Sequence, residues 1–150
     1  MSETFRNLTR LSSQGKIYLD IKLKKYGLNS GQFPYILFIC DSEGITQEKI
    51  NSIICVHASN VTRALDALCK KGYITKEDLE SDRRTCRLYP TDKARRIYGE
   101  LRQLESEWID IITGGFTEKE KTTLHDLLKK CDANLVAYLA VKKENQEGWF

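Results

Sequence analysis

Residues His57 to Thr91 read HASNVTRALDALCKKGYITKEDLESDRRTCRLYPT, and the change of pattern along them decides the fold. Val61, Ala64, Leu65 and Leu68 fall three or four residues apart, so a helix gathers them on one face. Ser59, Asn60, Thr62, Arg63, Asp66 and Lys70 lie off that stripe. Lys70 and Lys71 followed by Gly72 form a helix stop, with cations near the negative end and then a residue that tolerates the left-handed conformation. Beyond the stop, Tyr73-Ile74-Thr75 and Thr85 to Tyr89 have strand composition. The polar segment between them, KEDLESDRR, reads as a loop joining antiparallel strands, with Arg83 and Arg84 at or near its tip. Asp82 beside them can hold a guanidinium in a bidentate pair and so fix where the tip points.

Upstream, Phe5, Leu8, Leu11, Tyr18 and Leu19 give the stripe of a helix over residues 5–25, with Gly15 a weak spot and Gly27 a C-cap. A second, buried helix is expected from Asn29 to Cys40. Asn29 would be its N-cap, Gln32 would reach back, and Pro34 just beyond the first turn would widen or kink it. Asp41 to Gly44 is a turn, and Thr46 caps a short helix whose inner face is Ile50, Ile53 and Ile54. That helix, a turn at Cys55-Val56 and the His57 helix make a helix-turn-helix. Short polar side chains and a forked cation on the second helix are the groups that reach base edges and phosphates. The candidate DNA contacts on the helix are therefore Ser59, Asn60, Thr62 and Arg63.

Downstream, Thr91 caps a long helix striped by Ile97, Leu101, Leu104, Trp108, Ile111 and Ile112, and Gly114-Gly115 ends it. Thr117 caps a last helix striped by Leu124, Leu127, Leu128, Cys131, Leu135, Tyr138 and Leu139. From Lys142 the tail is polar and expected to fray. A chain of 150 residues cannot cover such stripes alone, and the simplest solution is a two-fold homodimer through its N- and C-terminal helices.

At this point SNVTRALDALCKKGYI, then DRRTCRL and PTDKAR, resemble the core of the MarR family of bacterial winged-helix repressors. Asp82 and Arg84 fall on its two fixed wing positions, and Leu28, Asn29, Gln32, Phe33 and Leu37 resemble its entry to the second helix. The resemblance implies a mainly α fold with a small β-hairpin wing. Residues 30–92 would form a winged helix-turn-helix, and residues 1–29 and 93–150 the dimerisation helices. It implies a helix in the major groove, two further DNA contacts on the wing, with Arg84 in the minor groove and Arg83 on phosphate, and a pseudo-palindromic double-stranded DNA operator. It also implies a small aromatic effector held between dimer core and winged domain, for which Tyr18, Tyr26, Phe33, Tyr35 and Phe38 are the candidate lining residues.

Charge and composition agree. Net charge is only +3, but residues 57–96 carry ten Lys or Arg against six acids, and residues 97–150 carry seven against ten. The reading head is basic and the tail acidic. Five cysteines without a CxxC pair disfavour a disulfide scaffold or zinc knuckle, and two histidines disfavour a histidine-rich metal site. There is no membrane-length apolar run, no signal-peptide pattern, no Gly-rich phosphate loop and no nucleophile–base arrangement. We therefore expect a cytoplasmic, cofactor-free transcriptional regulator rather than an enzyme. The alternatives are a winged-helix protein-interaction module, which would need an apolar or acidic reading face, and a cysteine-based redox sensor. Cys55 is the thiol expected to be exposed, while Cys69, Cys86 and Cys131 are expected in the core.

Overall fold

The structure is a computed structural model that describes the backbone of residues 1–54, 58–79 and 82–145 and the side chains of residues 1–54, 59–77 and 86–140. Helix α1, Glu3–Leu23, starts at Ser2, whose hydroxyl accepts from the Phe5 N–H at 3.2 Å. It tightens into a 3-10 turn, Lys24–Tyr26, closed by Gly27 at φ 65°. Helix α2, Phe33–Asp41, starts later than its capping pattern predicts. The Asn29 carboxamide does accept from the Gln32 N–H at 3.0 Å, but residues 29–32 form a turn and the helix proper begins after it. Pro34 thereby falls in the first turn, where its missing N–H has no intrahelical role, so the expected kink has no cause.

Strand β1, Ile45–Thr46, leads into α3, Gln47–Ile54, whose cap is Thr46, accepting from the Lys49 N–H at 3.2 Å. Ile50 is fully buried as expected, whereas Ile53 is 43% exposed and off the inner face. The turn at Cys55-Val56 lies outside the described residues. Helix α4 spans Ala58–Lys70, and Gly72 at φ 73° stops it.

The ribbon is longer and wider than the sequence pattern predicts. β2, Ile74–Leu79, and β3, Asp82–Pro90, pair antiparallel, so much of the segment read as a loop is strand. Pairing runs from Ile74 opposite Pro90 to Asp78 opposite Cys86, then shifts register to bring Leu79 opposite Asp82. On its other edge β3 pairs with β1, Ile45 opposite Leu88 and Thr46 opposite Arg87, giving a three-stranded sheet in the order β1-β3-β2. Two residues of strand were too short to show as a period-2 pattern.

Helix α5, Asp92–Ile112, is capped by Thr91, whose hydroxyl accepts from the Ala94 N–H at 3.4 Å. The chain divides into two compact units, Met1–Trp108 and Ile109–Phe150. In the first, Leu23, Ile36, Ile39, Ile50, Val61, Leu65, Leu68, Leu88 and Leu101 are wholly buried. Gly15 also acquires a reason: a Cβ there would meet the Trp108 indole at 3.1 Å, so its bare backbone lets the ring close on α1. In the second unit, α6, Glu118–Asn145, opens on a full capping box. The Thr117 N–H donates to Glu120 Oε2 at 2.8 Å, and the Glu120 N–H returns to Thr117 Oγ1 at 3.3 Å. The backbone stays helical through Asn145, past the point where fraying was expected, and Trp149-Phe150 lie outside the described residues. Among the described residues no helix is long and apolar enough to cross a membrane.

Gly15→Leu tests the α1 contact. Overpacking against the indole should lower unfolding free energy by about 1–3 kcal/mol in urea titrations, and unchanged stability would mean the ring is not held there.

Candidate nucleic-acid interface

Helix α4 turns about its apolar stripe. With Val61, Leu65 and Leu68 at 0% exposure, Ser59, Asn60, Arg63, Asp66 and Lys70 are left on the exposed side and Thr62 at its margin. Four of the six predicted contact residues, Ser59, Asn60, Thr62 and Arg63, thus come together on one helical surface.

Their polar atoms are already arranged. The Arg63 guanidinium donates to the Asn60 carboxamide oxygen one turn earlier. That leaves Asn60 presenting its NH2, a donor, and Arg63 presenting its remaining N–H groups. Gln47, at the start of α3, donates through Nε2 to Thr62 Oγ1 at 2.9 Å and ties the two helices of the motif across the described residues. Nothing local in the sequence marks Gln47. Its partner lies fifteen residues on, and only the fold brings them together.

The side chains of Asp82, Arg83 and Arg84 lie outside the described residues, as does His57. The backbone places the first three at the start of β3, at the end of the ribbon far from its base. The base of the ribbon is anchored by pairs that sequence reasoning missed. Lys76 on β2 donates to Asp66 Oδ1 on α4 at 2.6 Å, and the Arg87 guanidinium on β3 donates to the Gly44 carbonyl at 3.3 Å. Asp66 is therefore an anchor for the wing rather than a free acid on the reading face. Next to Gly44, Glu43 pairs with Arg95 of α5 through both terminal guanidinium nitrogens.

Of the five aromatic residues named for an effector pocket, Phe33 and Tyr35 are buried in the core, and Phe38 is half-buried. The Tyr18 hydroxyl is buried with no hydrogen-bond partner among the described residues. Tyr26 borders a cleft of about 190 Å³ with Lys22, Lys25, Glu100 and Gln103. Its hydroxyl donates to Glu100, which Lys25 also contacts at 2.9 Å. Burial, then the Glu100 contact, pushes the Tyr26 phenol up, and the Tyr26 and Lys25 bonds hold Glu100 below the usual carboxylate range.

Cys69 and Cys40 are half-buried, and burial pushes both thiols up, away from the reactive thiolate. Cys86 is half-buried as well, and Cys55 lies outside the described residues. Cys131, expected in the core, is exposed on α6, as are Leu127, Leu128 and Leu135 of the same stripe.

The Asp66–Lys76 pair carries a pH signature. The Lys76 hydrogen bond and charge hold the Asp66 carboxyl below its ordinary value. The native state then binds that proton less readily than the unfolded chain does, so the pair contributes fully above the unfolded value near 3.8 and is lost as pH falls through the lower, native one. The stability difference between the wild type and Asp66→Asn should be constant from neutral pH down to about pH 5 and shrink below about pH 4. A difference that persists in acid would mean the carboxylate is not the acting group.

Comparison with known proteins gives the same assignment. The MarR family model matches residues 28–86. The uncharacterized HTH-type transcriptional regulator YybA of Bacillus subtilis is 29% identical, over 99% of this chain and 100% of its own length. A crystal structure of a putative MarR family transcriptional regulator from Listeria monocytogenes, complexed with 26mer DNA, is 30% identical. It superposes with a TM-score of 0.87 over 99% of this chain and 100% of that one. A MarR protein from Peptoclostridium difficile is 32% identical, with a TM-score of 0.85 over 89% of this chain and 88% of that one. The buried stripe and polar outer face of α4, the hairpin anchored beside it and full-length likeness to these regulators together place this chain in the MarR family of helix-turn-helix transcriptional regulators.

Proposed function

We propose that the chain acts as a homodimeric repressor whose two α4 helices enter successive major grooves of an operator while the wing tips reach the adjacent minor grooves. The observation that carries this reading is the outward polar face of α4, where Asn60 and Arg63 stand preorganised beside Thr62. Residues 30–92 would be the reading head, and residues 1–29 and 93–150 the dimerisation helices. The DNA-bound Listeria relative, alike over its whole length, supports the DNA partner. Support for the dimer comes from apolar side chains left open within each unit. Phe5, Leu8 and Leu11 on α1 are 60%, 55% and 45% exposed, and Leu127, Leu135 and Tyr138 on α6 are 54%, 59% and 60% exposed. Faces of that kind mark association surfaces.

Arg84 supplies the minor-groove probe in this reading, because a narrow groove concentrates negative potential and rewards a long, weakly hydrated cation. Arg83 contacts phosphate, and Asp82 orients the tip. A signal would release the operator by changing the distance between the two heads. The cleft beside Tyr26 carries Lys22 and Lys25, paired with Glu107 and Glu100, and a small aromatic acid bound there would take the place of those carboxylates. An interaction module is disfavoured because the α4 face is polar and cationic, and burial, which pushes the Cys40 and Cys69 thiols up, argues against those two cysteines as redox sensors.

Fluorescence anisotropy with a duplex chosen by the wild type from a random library tests the reading. Arg84→Ala and Arg63→Ala should each weaken binding by about 1–3 kcal/mol while sedimentation still shows a dimer. Full affinity in Arg84→Ala would remove the wing from the mechanism. Leu135→Glu should yield monomers with little affinity, and a stable dimer would exclude the α6 face from the interface.

A further inference from the structure

The exit of α4 is bolted to the elbow between α1 and α2 by two side chains, Lys71 and Tyr73. Lys71 Nζ donates to the Gly27 carbonyl at 2.5 Å and to Gln32 Oε1 at 2.9 Å. Gln32 is only 5% exposed, so Lys71 satisfies a buried amide oxygen that would otherwise lack this donor. Gly27 sits at φ 65°, and that conformation sets the direction of its carbonyl. Two residues on, the Tyr73 hydroxyl donates to the neighbouring Tyr26 carbonyl at 2.7 Å, and Tyr73 is 2% exposed. The same exit is held from the start of α5. Lys93 Nζ donates to the Lys71 carbonyl at 2.7 Å and stands 4.3 Å from the Tyr73 ring centroid, and Thr91 Oγ1 donates to the Gly72 carbonyl at 2.7 Å.

Such bonds fix a direction. The stripe of α4 sets which way the helix faces, but a stripe of aliphatic side chains resists sliding and tilting weakly. Hydrogen bonds to two successive backbone carbonyls, Tyr26 and Gly27, define where the end of the helix sits relative to α1. We propose that Lys71 is a positioning residue for DNA reading. Its ammonium is spent on Gly27 and Gln32, not on phosphate, and it holds α4 at the angle at which the outer face matches a major groove. This rests on the DNA reading above and assigns a lysine at the end of the reading helix to geometry instead of to charge neutralisation.

The two roles separate by salt dependence, since each neutralised phosphate contributes about 0.9 to the slope of log affinity against log salt for duplex DNA. Lys71→Met and Lys71→Arg are measured against the wild-type-selected duplex and a shuffled duplex of equal length, from low to physiological salt. The proposal expects Lys71→Met to lose about tenfold on the selected duplex, to keep its affinity for the shuffled one, and to keep the wild-type slope. Lys71→Arg, which can reach both acceptors, should recover most of the loss. Tyr73→Phe, which deletes the second bolt without altering charge, should also lose affinity for the selected duplex alone, and it carries the test if Lys71→Met does not fold. A slope reduced by about one with equal loss on both duplexes makes Lys71 a phosphate contact and overturns the proposal. Unchanged affinity in Lys71→Met, or in Tyr73→Phe where that variant carries the test, overturns it as well. A wild type that selects no duplex defeats the DNA reading itself, before any variant is compared.

Discussion

Burial of Val61, Leu65 and Leu68 along one side of α4 leaves that helix a single rotational setting. Each of these side chains gains about 1.5–3 kcal/mol on leaving water. Turning the helix by one residue would expose them and drive Asn60 and Arg63 inward, where an unpaired ion costs several kcal/mol. The outward face is therefore what the core leaves over. Its chemistry was free to be set by a partner, and it consists of short polar groups around one guanidinium.

The sheet depends on the same core. Leu88 on β3 and Ile74 on β2 are buried with the α4 stripe, so the ribbon leaves the domain from a fixed root. From that root Asp66–Lys76 and Arg87–Gly44 hold both strands to their neighbours. The β1 pairing with β3 turns a two-stranded ribbon, marginal in isolation, into a three-stranded sheet that can hold its direction. That root fixes where β2 and β3 leave the domain beside α4.

What could be read from the residues was whatever depends on near neighbours. The three-and-four spacing of Val61, Ala64, Leu65 and Leu68, the Lys-Lys-Gly stop, and the caps at Thr46, Thr91 and Thr117 are local, and the elements lie where those signals put them. Pro34 was misplaced because the Asn29 carboxamide closes a turn over residues 29–32 and the helix begins only at Phe33. Strand β1 was missed because two residues have no period, and their pairing with Arg87 and Leu88 lies some forty residues away. Ile53 faces outward although it shares a pattern with Ile50, since an eight-residue helix buries only a narrow face. The partners of Lys71, Lys76 and Gln47 were unreadable for the same reason: a polar side chain announces that it will form a bond, not with whom.

The central claim is that two identical α4 faces, held in one dimer, read one duplex. Footprinting the wild-type chain on the duplex it selects from a random library measures this directly. The account predicts two inverted half-sites with centres about 10 bp apart, protected together at one protein concentration. A single half-site, direct repeats, or protection without sequence preference would contradict it.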